Sequence, residues 1–351
     1  MQIVKPDINI DFMGKRYIAY ALSAILIITG MVALIMRGGP NYGVDFSGGL
    51  MVQIKLTSPR DISDIRDALR AVNLQDATIQ SLGEEGEAEY LIRIGESPDI
   101  KTETLNDDLG KALKDKFGEG SVVQRLEMVG PKVGKDLREK ALAAIFYSML
   151  LIAVYISGRF EQKWTLSIIM MVCFIVVVLL GMSLGVSITW LILIAFITSL
   201  VFCWVLRLRY AMSAIVSLIH DVAITVGAFA ITNKEISLTV VAAILTLIGY
   251  SLNDTIVTFD RIREKLRNTP GKKDMAEIAN RSVNETLSRT ILTDGTVLAV
   301  VVALFFLGGV VIHDFAFAML IGSITGVYST IFIASPLLLL WEDKPVKMGK
   351  R

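Results

Sequence analysis

The sequence predicts a polytopic α-helical membrane protein that carries a small α+β domain of βαββαβ order, a ferredoxin-like sandwich. Three observations lead there. Mean hydropathy is +0.59 and hydrophobic residues make up 53% of the chain. Several apolar stretches reach ~20 residues, the length that crosses a bilayer core as a helix. Residues 41–140, in contrast, are charged and segmented with Gly and Pro at their joints, which is how a domain outside the membrane reads.

The elements follow in order. Residues 17–36 form an apolar run behind Lys15 and Arg16. The run exceeds the 7–15-residue core of a secretory signal and no A-x-A site follows it, so it reads as a retained first helix. Gly38-Gly39-Pro40 ends it. Weak alternation over 48–56 predicts a strand, and helical periodicity over 60–72 follows Ser58-Pro59. Strands are expected at 77–82 and 89–94 around a Gly/Glu turn at 83–86, then a helix at 102–117 and a last strand at 121–129. Further spans are expected at 141–157, 164–183, 187–206, 211–231, 237–259, 291–312 and 315–341, about eight with the first.

Lysine and arginine set the orientation. Lys15/Arg16, Arg159/Lys163, Arg207/Arg209, the stretch 261–289 and the stretch 344–351 fall on one side, whereas the opposite short loops hold little beyond Lys234. The positive-inside rule places both termini in the cytoplasm and 41–140 on the outer face, periplasmic in a double-membraned bacterium. The chain thus divides into an N-terminus and first helix (1–40), the outer domain (41–140), a helical bundle (141–341, with a cytoplasmic segment at 260–290) and a cytoplasmic tail (342–351).

Composition removes several function classes. A formal charge of +1 gives no concentrated positive surface for nucleic acid. Cys173 and Cys203 both lie inside apolar spans, so neither a disulfide framework nor a CxxC metal site is expected. No HExxH, phosphate loop or nucleophile–base constellation points to an enzyme. No cofactor is expected beyond a transported ion.

The chemistry lies in the spans. Asp254 sits in Gly249-Tyr-Ser-Leu-Asn-Asp-Thr-Ile-Val257, and a carboxylate at membrane depth costs at least ~2.5–3.5 kcal/mol, so it calls for a partner, a cavity or an ion pathway. Leu247, Tyr250/Ser251, Asp254 and Thr258 share one side of their helix with Asn253 adjacent, and Arg289, Thr293 and Thr296 line up on a later one. Facing each other, these stripes make a hydrated seam in which Asp254 and Arg289 are the candidate ion-coupling pair. An inert salt bridge or a snorkelling Asp254 is the alternative. His220-Asp221, near the middle of its span, is a candidate relay, although adjacent residues point about 100° apart, and packing by hydrogen bonds to neighbouring helices is the other reading. Asp294 ranks lower because it lies ~140° around its helix from Arg289.

Taken together, Tyr42-Gly-Val-Asp-Phe-Ser-Gly-Gly49, Val129-Gly-Pro-Lys-Val-Gly134, Arg159-Phe-Glu161, His220-Asp-Val222, Gly249 to Val257 with Asp260-Arg-Ile-Arg-Glu264, and Leu287-Ser-Arg-Thr290 resemble the SecF family, within the resistance-nodulation-division superfamily. The resemblance implies a subunit that works with SecD, beside the SecYEG channel and often YajC. It implies use of a proton or sodium gradient to promote the later stages of translocation of unfolded polypeptide, after SecA has pushed it into the channel. It implies that Asp254 and Arg289 line the ion path, with Thr293 one turn on. Asp45, Phe46, Gly48 and Gly49 are candidate contacts to SecD, while a turn feeding the first strand accounts for the two glycines more simply.

Two departures stand out. The family goes from its Arg-Phe-Glu loop almost directly to His-Asp-Val with six spans, whereas 164–206 here inserts a helix pair, expected to be peripheral and lipid-facing. The family position of Asp294 is expected to be small and uncharged. Half of an ion-driven exporter of small molecules or lipids is the alternative function, although such proteins usually carry both bundle halves on one chain. A structural scaffold, the third class, would tolerate Asp254→Asn.

Overall fold

The computed structural model describes residues 8–70, 72, 74, 77–82, 88–95, 102–186, 188–268 and 274–341. The expected turn at 83–86 and the tail at 342–351 lie outside the described residues.

Helix α1 (Arg16–Met36) is followed by a one-turn helix α2 (Val44–Ser47) and then by the outer domain, β1 (Gly49–Lys55), α3 (Ile62–Arg70), β2 (Thr78–Leu82), β3 (Glu89–Ile94), α4 (Thr102–Phe117) and β4 (Val122–Val129). The sheet is antiparallel in the order β2-β3-β1-β4, the expected βαββαβ sandwich. Alternation sets its register. Val52 pairs Ile92 on one side and Leu126 on the other, and Val52, Ile54 and Ile92 bury one face together with Ile65 and Leu69 of α3 and Leu109 and Leu113 of α4. Between Gln53↔Arg125 and Ile54↔Val123 the β4 strand carries one extra residue, Gln124, which makes a bulge.

The bundle follows as α5 (Pro131–Glu161), α6 (Trp164–Ser183), α7 (Ile188–Val205), α8 (Arg209–Thr232), α9 (Leu238–Asn268), α10 (Met275–Leu307) and α11 (Gly309–Ser329), which runs on through a π-helical turn (Thr330–Ala334). Among the described residues seven helices are long and apolar enough to cross a membrane, and α7 adds a shorter apolar stretch, Leu193–Val205. Helix ends are chemically marked. Pro131 starts α5 where its missing N–H costs nothing. Asn233 ends α8 in the left-handed region at φ 55°, with Lys234 N–H donating back to Phe229 O at 3.0 Å. Asp274 caps α10 by accepting from Ala276 N–H at 2.9 Å.

Two expected boundaries move. The span expected at 291–312 crosses a break, because α10 stops at Leu307 and Gly309, at φ 69°, restarts the chain as α11. Apolar residues on both sides of Gly308-Gly309 hide that break from hydropathy. The charged stretches 131–140 and 260–268 are helical, extending α5 and α9 beyond their apolar parts.

Helices α8, α9 and α11 form the centre. Small residues let them and α1 approach closely: a Cβ added at Gly30 of α1 would lie 2.6 Å from the Gly227 backbone of α8, and Gly322 and Gly326 of α11 sit against Leu247 and Ser251 of α9. Helices α6 and α7 lie at the edge of the bundle. They share a small core with α5 through Phe146, Leu150, Phe174, Val178 and Leu191 while Ile169, Val176, Leu180, Ile194 and Val201 face outward, as the surface of a helix pair in lipid must.

Candidate ion-coupling site in the membrane

Helix α9 is buried over most of its girth, from Val240 through Leu247, Ser251, Asp254 and Thr258 to Ile262. Asp254 therefore points into the protein, with 6% of its surface exposed. Its direct neighbour is Asp294 of α10, itself 7% exposed, and the two side chains meet carboxyl to carboxyl in hydrogen-bonding contact. Tyr250, one turn earlier on α9, donates its hydroxyl to Asp294 Oδ1 at 2.5 Å, while Asp294 Oδ2 is buried without a donor.

This corrects the ranking of Asp294. The face of α10 that packs into the bundle runs through Ala279, Val283, Leu287, Thr290, Asp294 and Val301, a helical period of small and apolar residues. Arg289 and Thr296 lie on the opposite, exposed side, Thr293 is half-buried between the two, and Asn253 of α9 is exposed as well. Polar stripes were the wrong guide to the contact face. Asp254 and Arg289 form no salt bridge among the described residues, and the guanidinium acts on the carboxyl across a longer distance.

A second polar network meets α9 one turn earlier, at Ser251. His220 Nδ1 and Asp221 Oδ1 are 3.0 Å apart, so the adjacent pair is joined rather than split between two faces. Their other partners lie on different helices. His220 reaches Ser23 of α1 through Nε2 at 2.9 Å and stacks on Tyr328, whereas Asp221 Oδ2 accepts from Ser251 of α9 at 2.7 Å and Ser329 of α11 at 2.8 Å. The Tyr328 hydroxyl accepts from Ser23 and donates to the Ala19 carbonyl at 2.6 Å. Every polar atom of the His220 and Asp221 side chains thus has a partner, as groups at membrane depth require.

Ser251 stood on the expected polar stripe, whereas Ser23, Tyr328 and Ser329 of this network escaped sequence reasoning. Each is one small or amphipathic residue inside an apolar helix, and the available signal was the spacing Gly322, Gly326, Ser329, Thr330 on the last span. Helix α9 carries both networks. Ser251 serves Asp221, Asp254 meets Asp294, and Thr255, next to Asp254, bonds Thr330 at 2.9 Å. Thr330 begins the π-helical turn, where the chain widens ahead of Pro336, a residue with no N–H to continue an α-helical ladder. Ser335 donates both its N–H and, at 2.8 Å, its Oγ to the Thr330 carbonyl.

The motif after α1 is used within this chain. Asp45 Oδ2 accepts from Leu238 N–H at 2.8 Å, at the start of α9, and Phe46 is buried in the bundle's outer core. Gly48 and Gly49 have φ of 76° and 125°, and a Cβ on Gly49 would stand 2.4 Å from Ile94 O. Both make the turn into β1. Nearby, Arg93 of β3 pairs with Glu235 in the α8–α9 loop, where burial pushes the glutamate carboxyl above its ordinary range against the pull of the guanidinium. Among the described residues no group of three or more His, Cys, Asp or Glu stands together to hold a metal.

A family description of the C-terminal domain of the protein export membrane proteins SecD and SecF matches residues 109–189 and 180–344, and the SecD/SecF GG motif matches residues 33–59. The protein translocase subunit SecF of Calditerrivibrio nitroreducens is 38% identical over 346 residues, covering 97% of this chain and 96% of that one. The chain belongs to the SecF family. The SecF subunit of Vibrio alginolyticus is 37% identical, with 96% of this chain and 91% of that one covered. Among solved structures, SecDF of Thermus thermophilus, described as a translocon-associated membrane protein, superposes with a TM-score of 0.74 at 28% identity. That match covers 97% of this SecF-family chain and 40% of the SecDF chain. A SecDF structure in a super-membrane-facing form superposes with a TM-score of 0.58.

Proposed function

We propose that this chain is the SecF partner of SecD in the bacterial inner membrane, using a proton gradient to promote the later stages of polypeptide passage through the SecYEG channel, downstream of SecA and beside YajC. Both termini lie in the cytoplasm and the sheet domain in the periplasm, in keeping with the lysine and arginine distribution. The transported proton is the only cofactor.

The observation that carries this reading is the Asp254–Asp294 contact inside a SecF-family bundle. Two carboxyl oxygens hydrogen-bond only with a proton between them, so the site holds a proton in this arrangement and releases it when the acids separate. Arg289, with Thr293 and Asn253 on the same open side, supplies the cation that stabilises the deprotonated site. A guanidinium facing lipid is costly, and SecD covering this face of α9 and α10 removes that cost. The His220–Asp221 network holds α1, α8, α9 and α11 in register around the site and is the relay one turn away along α9, through Ser251.

The drive available is ~2.3 kcal/mol per charge per 100 mV and ~1.4 kcal/mol per pH unit. Export measured in cells carrying the wild type, Asp254→Asn or Arg289→Met, with the proton and sodium gradients collapsed separately, tests the proposal. Both variants are expected to export only as well as the wild type without a proton gradient. Normal export by both variants defeats the motor, and loss of wild-type export on sodium collapse alone defeats the choice of proton.

A further inference from the structure

The outer end of α9 is fastened to the sheet domain at three points. Leu238 N–H, at the start of the helix, donates to Asp45 of α2. Just before it, Ile236 N–H donates to Asn41 O at 2.7 Å and Gly43 N–H donates to Ile236 O at 3.0 Å, a two-bond bridge. Glu235 pairs with Arg93 of β3, the two side chains being only 16% and 21% exposed.

These points belong to one body. The segment bearing Asn41, Gly43 and Asp45 runs through α2 and the Gly48-Gly49 turn straight into β1, and β1 pairs with β3 at Met51↔Arg93. A Cβ added at Gly134 of α5 would stand 3.0 Å from the backbone of Phe46 and Gly48, so α2 is wedged rather than loose. Beside the ion pair lies a cavity of about 660 Å³ bounded by Arg37, Gly39, Asn41 and Tyr42. Here the sheet domain does not sit flush on the bundle, which leaves room for it to tilt.

We infer that Arg93, Glu235 and Asp45 are positioning residues that form a permanent clasp, so that the sheet domain moves as one piece with α9. Asp254 lies sixteen residues along that helix from Leu238, about 24 Å at 1.5 Å per residue. A displacement of α9 at the acid pair is thereby delivered to the outer domain without a flexible joint between them. A half-buried ion pair suits this task, because it is little screened by salt and loses its partner only at a large cost. The source of the motion rests on the proton-driven reading above; the clasp does not.

The test uses the full chain with SecD in membranes, with spin labels at positions 115 on α4 and 267 at the far end of α9, and native cysteines replaced. Arg93→Glu and Glu235→Arg alone are each expected to broaden the label distance distribution and to lower export several-fold, and the double exchange to restore both. A short bifunctional thiol reagent bridging R93C and E235C is expected to keep the distribution narrow and export at the wild-type level. Unchanged widths in the single variants, failure of the exchange to restore, or a block of export by the bridge each overturn the clasp. Normal export by Asp254→Asn with the distances behaving as stated defeats the proton motor and leaves the clasp standing.

Discussion

Asp254 of α9 and Asp294 of α10 meet carboxyl to carboxyl between two membrane helices, with Tyr250 closing the contact from above by its hydrogen bond to Asp294. Asp294 Oδ2 is buried with no hydrogen-bond partner among the described residues, and Asp254 is the acid beside it. In the proposed function the pair, rather than either acid, is the unit that takes up and gives back a proton.

Asp294→Asn therefore tests the pair independently of Asp254. The amide donates permanently to Asp254, so exchange of a proton at the contact is replaced by a fixed hydrogen bond. Loss of a charge-assisted contact worth ~1.5–3 kcal/mol corresponds to roughly a tenfold to hundredfold change. Gradient-dependent export is expected to fall by about that factor, while Tyr250→Phe, which keeps both acids, costs less. Equal export by wild type and Asp294→Asn removes Asp294 from the mechanism.

Asp221→Ala takes the acceptor from three donors at once, stranding His220 Nδ1 and Ser251 while Ser329 keeps the Gly326 carbonyl at 3.1 Å. Unsatisfied buried groups cost ~1–3 kcal/mol each. Thermal unfolding in detergent is expected to show a large loss for Asp221→Ala and a small one for Ser23→Ala, which leaves His220 its bond to Asp221. Equal losses contradict the assignment of Asp221 as the centre of that network.

The α1–α8 crossing predicts a steric effect. A side chain at Gly30 or Gly227 meets backbone of the other helix at 2.6 or 3.0 Å. Gly227→Val is expected to destabilise by ~1–3 kcal/mol through overpacking. Gly110→Ala on α4, which meets nothing within 4 Å, is expected to be neutral or stabilising by up to ~1 kcal/mol. Unfolding midpoints of the two variants check the contrast.

Outside the membrane, Glu89 predicts a pH dependence. A hydrogen bond from Lys55 at 3.0 Å, helped by Gln124 and Gln53, holds its carboxyl below the usual value of 4.5. The depressed acid stabilises the sheet above pH 4.5, and that contribution is lost as pH falls through the lower folded value. Being partly exposed, the pair contributes at most ~1 kcal/mol. Amide exchange in β1 and β3 is expected to be faster in Glu89→Gln than in the wild type at pH 7 and equal well below pH 4.5. A difference that persists at acid pH contradicts the assignment.

Hydropathy and alternation made much of the fold legible: the order of strands and helices along the outer domain, the first helix and most of the spans follow from spacing. What was not legible came from residues that look ordinary in a sequence. Gly308-Gly309 ends a helix inside an apolar run, and Pro336 forces the π-helical turn upstream of itself. The Asp254 site was legible as a carboxylate in an apolar span, but its partner was not. Polar residues on α10 suggested the face through Arg289, whereas close packing follows the small and apolar face that carries Asp294. That choice depends on which side of a helix is covered by the rest of its own chain, and Arg289 lies on the side this chain leaves open.

The most direct measurement is the infrared difference spectrum of the SecD-bound chain in lipid across a pH titration, comparing the wild type with Asp254→Asn and Asp294→Asn. A proton shared by the two acids predicts a protonated-carboxyl band that titrates in the wild type and is absent or displaced in both variants. A band that survives unchanged in either variant, or no such band in the wild type, contradicts it.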